Sequence, residues 1–146
     1  MNIKNYFKVP VQSNFASLAL LFLRVVAGLA FMYHGWSKIQ NPFGWMPAES
    51  PVPGILQALA ALSEFGGGLA LILGLLIPLA SLGLICTMAV ATLMHAFVMK
   101  DPFVNMTGSG GSFEPALGYL AIAFVILAVG PGKYSADAKI FGLRTK

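Results

Sequence analysis

Residues 15–33 read FASLALLFLRVVAGLAFMY, an apolar run that contains one charged residue, Arg24. At a rise of about 1.5 Å per residue, a helix of about 20 such residues crosses the hydrocarbon core of a bilayer. A charge in the middle of the run, with no Ala-x-Ala cleavage site, argues against a removed signal peptide. The stretch therefore predicts a retained transmembrane helix.

The rest of the chain has the same apolar character. Its 146 residues are 58% hydrophobic and only 10% charged, whereas roughly a quarter of an ordinary soluble domain is charged. The length suits a single domain, 1–146, and a soluble domain of that size could not hide so much apolar surface. Composition therefore predicts an integral membrane protein with the lipid bilayer around its outer faces.

Three more apolar segments follow the first one. We predict an all-α fold, an integral membrane four-helix bundle whose neighbouring helices run antiparallel. Ser135 is a suitable N-cap for a short interfacial helix after the last span. The predicted spans and this helix are 15–34, 54–77, 79–99, 113–130 and 135–141.

The basic residues predict the orientation of the bundle. An even number of spans puts both tails on one side, and an excess of Lys and Arg marks cytoplasmic segments. We therefore expect cytoplasmic termini and a multi-pass protein of the bacterial inner membrane. The sequence has no basic stripe of the kind that would indicate binding to nucleic acid. Six of the nine basic residues lie in the tails, namely Lys4, Lys8, Lys133, Lys139, Arg144 and Lys146.

Two opposite charges are predicted near the middle of the bilayer. Arg24 lies ten residues before His34, the predicted outer end of the first span, and Glu64 lies ten residues after Gly54. Both are then about 15 Å below the outer surface. Because an unpaired charge at this depth costs from about 2.5 to more than 10 kcal/mol, we expect an Arg24–Glu64 ion pair. Such a pair either only sets helix register or belongs to a functional site.

A second polar group is predicted closer to the outer surface. It combines His34, Lys38, His95 and Glu114, and Gln57 extends it along the second helix. One interpretation is that the histidines simply form hydrogen bonds in the interface. The other is a polar site, open to the outer leaflet, that binds a polar head and exchanges protons, for which the near-neutral pKa of histidine is suited.

Taken in order, these residues resemble the DoxX family of small membrane proteins. The family takes its name from a subunit of an archaeal membrane complex that passes electrons from thiosulfate to quinone. The resemblance implies a quinone-linked redox role, as one subunit with partners. It covers Leu18 to Asp137 and rests on Arg24, His34-Gly35-x-x-Lys38, Glu64-x-Gly66-Gly67, Leu73-Gly74-Leu75, His95, Glu114 and Gly130-Pro131-Gly132-x-x-Ser135-x-Asp137.

The leading hypothesis is a redox-associated membrane subunit that binds a quinone head non-covalently between the first three helices. In this hypothesis His34 and His95 contact the ring oxygens and exchange protons, and Glu114 tunes a histidine. The remaining polar residues would form the binding part of the site: Arg24, Lys38, Gln57 and Glu64. Other membrane or peripheral redox subunits are the expected partners, and a homo-oligomer is left open.

Other functions compete with this hypothesis. The polar core could only lock the bundle of a non-enzymatic assembly or stability factor, or it could conduct a proton or small solute. Binding of b-haem by His34 and His95 is disfavoured, since nothing else in the chain supports it, and no metal site is predicted. The chain has no haem-attachment, iron–sulfur or flavin motif, so an electron carrier would be non-covalent or held by a partner. Whether the chain is itself an enzyme is left open.

Overall fold

Four helices dominate the computed structural model, which describes residues 6–144. The first three are long and apolar enough to cross a membrane, and the fourth is a shorter apolar helix. Lys4 and Lys146, which the predicted orientation used, lie outside the described residues. The helices are α1 (Asn14–Gln40), α2 (Gly54–Leu73), α3 (Ile77–Val98) and α4 (Glu114–Val129).

Short elements complete the fold at one end of the bundle. A helix, α5 (Ala136–Phe141), begins after Ser135, whose side chain accepts a hydrogen bond from the backbone of Ala138 as the capping prediction requires. Two strands of two residues each, β1 (Val9–Pro10) and β2 (Leu143–Arg144), pair in parallel. The first and last described segments therefore lie side by side.

The helix bounds differ from the predicted spans. Helix α1 continues six residues beyond the predicted end at 34 and stops at Gln40. Helix α2 stops at Leu73, because Gly74 takes a left-handed conformation with φ of 66°, which glycine adopts at little cost. Pro78, the single residue left between the predicted spans 54–77 and 79–99, lies instead in the first turn of α3, where its missing N–H is harmless.

Helices α1 and α2 approach until their backbones touch. A Cβ added at Gly28 would lie 2.6 Å from the carbonyl oxygen of Gly68, and one added at Gly35 would lie 2.6 Å from the amide nitrogen of Phe65. Small residues permit this close packing in membrane helices. Helix α3 packs along α4, and α2 joins the two pairs. Fully buried apolar side chains fill the centre, among them Phe31, Leu71, Leu84 and Ile126.

The two ends of the bundle are named by their segments. The loop end contains the connections 41–53 and 99–113. The terminal end contains 6–13, the turn 74–76 between α2 and α3, and 130–144. Each end holds its own buried polar cluster.

Candidate functional site

Lys38 and Glu64 form an ion pair between α1 and α2, toward the loop end. The ammonium nitrogen of Lys38 lies 2.7 Å from each carboxylate oxygen of Glu64. The Glu64 side chain is 3% exposed, whereas that of Lys38 is 24% exposed. The carboxylate is therefore fixed inside the helix interface while its cationic partner reaches the surface.

Local backbone features bring this pair together. Gly35 lies one turn before Lys38, and an added Cβ there would lie 3.0 Å from the Cβ of Glu64. Glu64 itself belongs to a π-helical turn, Leu62–Gly66, inside α2. Single π-helical turns in α-helices occur frequently at functional sites.

The loop between α1 and α2 covers the pair. The ring of Trp45 lies 4.7 Å from the Lys38 ammonium, a cation–π arrangement. The indole N–H of Trp45 donates to the backbone oxygen of Gln57 at 3.0 Å. The side-chain amide of Gln57 accepts from Met46 N at 3.1 Å and donates to the oxygen of Val52 at 2.9 Å. Gln57, predicted to bind a ligand, therefore holds this loop in place.

Arg24 does not pair with Glu64, so the predicted ion pair is wrong. The buried guanidinium of Arg24 donates to the backbone oxygen of Leu71 at 3.2 Å and to that of Tyr134 at 2.6 Å. Its partners belong to the end of α2 and to the segment that follows α4. Arg24 thus lies in the polar cluster of the terminal end.

The error came from the relative position of α1 and α2. Glu64 contacts Gly35, eleven residues beyond Arg24 in the sequence, which is about 16 Å along a helix. The prediction aligned the start of α2 with His34. In the structure α2 starts beside Phe43, since a Cβ at Gly54 would lie 2.8 Å from the oxygen of Phe43.

Asp137 is the buried carboxylate that sequence reasoning did not select. It accepts hydrogen bonds from the amides of Leu76 at 2.7 Å and Ile77 at 2.9 Å, and its own amide donates to the oxygen of Gly74 at 2.9 Å. It is also close enough to Arg24 for their opposite charges to interact. The available signal was the Ser-x-Asp at the start of a short helix, with Ser135 at the N-cap and Asp137 in the first turn.

The predicted outer cluster of histidines and Glu114 is differently arranged. His34 is exposed, and its ring meets that of Tyr119 edge-on with 5.9 Å between centroids. Nδ1 of His95 lies 2.7 Å from a carboxylate oxygen of Asp101 and so ties the following loop to α3. Within residues 6–144 no hydrogen bond or ion pair joins Glu114 to either histidine, and its exposed side chain makes none.

Comparison with known proteins identifies the family. The model of the DoxX family matches residues 19–97, more than half of the chain. This chain belongs to the DoxX family. It is 34% identical over 134 residues to inner membrane protein YqjF of Escherichia coli strain K12, which covers 82% of this chain and 90% of that protein.

The family assignment confirms the resemblance seen in the sequence. It also confirms the predicted localisation, that of a multi-pass protein of the inner membrane. No solved structure matches the chain. The matched DoxX region includes α2 and most of α1 and therefore holds the whole Lys38–Glu64 pair. Asp137 lies beyond it. Within residues 6–144 no group of three or more His, Cys, Asp or Glu side chains could hold a metal ion.

Proposed function

We propose that this DoxX protein is an accessory subunit of a membrane redox system and holds the polar head of a quinone at the Lys38–Glu64 pair. One observation carries the proposal. The pair combines a buried carboxylate with a lysine whose side chain remains 24% exposed, so a charged pair inside the bundle is connected to its surface. Ionisable residues at membrane depth frequently mark ligand or proton pathways.

The residues around the pair suit a flat ring with carbonyl oxygens. An ammonium has three N–H donors, and Lys38 directs its contacts to the two oxygens of Glu64, which leaves donor capacity for a carbonyl oxygen. Trp45 provides an aromatic face beside Lys38, and Glu64 can accept a proton. A quinone, when bound, supplies redox chemistry coupled to protons, and the resemblance to the DoxX family suggests this class of ligand.

The proposed role of the histidines is narrower than the sequence suggested. His34 lies one turn before Lys38 on α1 and is exposed, so it can exchange protons between the site and water. His95 is engaged by Asp101 and has no part in the proposal. Glu114 is likewise left out.

The orientation is part of the same proposal. We infer that all four helices cross the inner membrane, with the terminal end in the cytoplasm and the loop end outside. The surface of the terminal end supports this, because its described charged side chains outside the buried cluster are all basic: Lys8, Lys133, Lys139 and Arg144. Helix α4, with 16 residues, is about 24 Å long and requires local thinning of the bilayer.

Tryptophan fluorescence can test quinone binding at this site. The chain has two tryptophans, so Trp36→Phe leaves Trp45 as the reporter beside Lys38. We expect a short-chain ubiquinone to quench it saturably, and Lys38→Gln to weaken binding by about tenfold through loss of one charged hydrogen bond. His95→Ala, at the same end of the bundle, is the control and should leave binding unchanged. Absence of saturable quenching, or equal binding by the Lys38 variant, contradicts the proposal.

A second candidate is a non-enzymatic assembly or stability factor. The terminal-end cluster favours it, because Arg24 and Asp137 bond to backbone groups of this same chain. Full-length protein that is destabilised by Glu64→Gln and never binds quinone would support this candidate. Transport along a polar track has less support, since Ala27 and Phe31, which lie between the two clusters on α1, are buried and apolar.

A further inference from the structure

A cleft of about 200 Å³ opens at the terminal end, where α3 begins and α4 ends. Its position matters, because the ends of membrane-spanning helices lie at the level of the lipid headgroups. Apolar residues of α3 and α4 form one wall, and basic residues of the tail segments form the other. These residues are Ile77, Pro78, Leu127 and Ala128 on the apolar side and Lys8 and Arg144 on the basic side.

The two strands bring the basic residues to the same cleft. Val9 pairs with Leu143 and Pro10 with Arg144 in a parallel register, and the amide of Val9 donates to the oxygen of Gly142 at 3.1 Å. Lys8, which precedes β1, and Arg144, which ends β2, therefore line one cavity although they come from opposite tails. The backbone pairing of the two strands therefore fixes both cations beside the cleft.

The charges in the cleft are unbalanced. Within residues 6–144 the side chains of Lys8 and Arg144 form no ion pair or hydrogen bond. Asp137 also lines the cleft, but both of its oxygens accept backbone N–H groups. The other acidic residues of the chain belong to the loop-end half: Glu49, Glu64, Asp101 and Glu114.

We propose that this cleft binds the headgroup of an anionic phospholipid, with its phosphate ester between Lys8 and Arg144. The guanidinium can form paired hydrogen bonds with phosphate oxygens, and basic pockets between membrane helices are known to hold anionic headgroups. The first methylene groups of the lipid would lie against Pro78, Leu127 and Ala128, the apolar lining residues that are at least partly exposed. The site is separate from the Lys38–Glu64 pair at the other end.

Native mass spectrometry of the full-length protein in detergent can test this inference. Phosphatidylglycerol and phosphatidylethanolamine would be titrated separately, and the dissociation constant of the first bound lipid measured. We expect preference for phosphatidylglycerol, and the double variant Lys8→Gln/Arg144→Gln should weaken that binding roughly 30-fold. Lys139→Gln is the matched control, because Lys139 is an exposed cation at the same end that does not line the cleft.

A second variant examines the apolar wall. Ala128→Phe fills part of the cleft from an exposed position near the end of α4 and should also weaken binding of phosphatidylglycerol, while circular dichroism confirms the helical fold of each variant. Equal loss in Lys139→Gln would show general surface attraction and overturn the proposal. Equal affinity for both lipids would do the same. Competition by inorganic phosphate at millimolar concentration would identify a free-phosphate site and refute the lipid assignment.

Discussion

A nitrogen of the Arg24 guanidinium donates a 2.6 Å hydrogen bond to the carbonyl oxygen of Tyr134 and thereby joins α1 to the segment after α4. A second nitrogen donates to Leu71 at the end of α2. One buried side chain thus connects three parts of the chain that are distant in sequence. Backbone oxygens left without water need such donors, which explains why a charged residue is stable here.

Replacement of Arg24 by Met should destabilise the bundle strongly. The change leaves the Tyr134 oxygen without its donor, leaves the Leu71 oxygen with only the Gly74 amide, and removes the cation near Asp137. We therefore expect a loss of roughly 3 kcal/mol in the free energy of unfolding. Titration with SDS in mixed micelles measures this quantity. Arg144→Met, an exposed arginine of the same end, should change it by less than about 0.5 kcal/mol. Equal effects of the two variants would refute the buried role of Arg24.

Asp137→Asn should loosen the start of α3. An amide presents one oxygen where the carboxylate presents two, so either Leu76 or Ile77 loses its acceptor. We expect a cost of about 1–2 kcal/mol and faster hydrogen exchange at these two amides, measured by mass spectrometry of peptic peptides. Glu49→Gln, at an exposed loop position, serves as the control. Unchanged protection of Leu76 and Ile77 would show that the carboxylate does not hold this turn.

The Lys38–Glu64 pair should behave as a coupled unit. Lys38→Met and Glu64→Met each leave one charge without its partner, whereas the double variant removes both. Because loss of a single partner is the costly event in buried pairs, we expect a coupling free energy of about 2 kcal/mol or more. Unfolding of all four proteins under the same conditions gives this value. If the change in unfolding free energy of the double variant equals the sum of the two single changes, the two side chains do not interact.

Gly35→Ala should separate α1 from α2. The added methyl group would collide with the backbone of Phe65, and overpacking of this kind costs about 1–3 kcal/mol. Gly118→Ala on α4 is the matched control, since nothing lies within 4 Å of its Cβ position. A thermal unfolding scan should show a lower midpoint for the Gly35 variant only. Similar midpoints would argue against direct backbone contact at Gly35.

The sequence was informative about single residues and about the helices near them. Arg24 and Glu64 were recognised as charges that need partners, because the cost of an unpaired charge in lipid is a property of the residue and its depth. The capping role of Ser135 also follows from local chemistry. Asp137 was noted only as part of the resemblance and was not chosen as a site residue, since its partners are backbone amides, which any sequence offers.

The axial alignment of α1 with α2 could not be predicted from the sequence. Pairing Arg24 with Glu64 required knowing where α1 ends and where α2 begins beside it. In the structure Glu64 lies beside Gly35, eleven residues beyond Arg24. Each residue corresponds to about 1.5 Å along the helix axis, so the predicted partner was far out of reach. Lys38, rather than Arg24, is therefore the partner of Glu64.

From sequence alone, apolar composition and span length determined a membrane protein, and the order of its motifs indicated the DoxX family. Only the tertiary structure decided which charge meets which partner and that two clusters form at opposite ends. The physical reason is that the two depend on different information. The free energy of transfer into lipid is a sum over individual residues, which the sequence lists. An ion pair depends on the positions of atoms within a few ångströms, and these follow from close helix contacts such as that of Gly35 with Phe65.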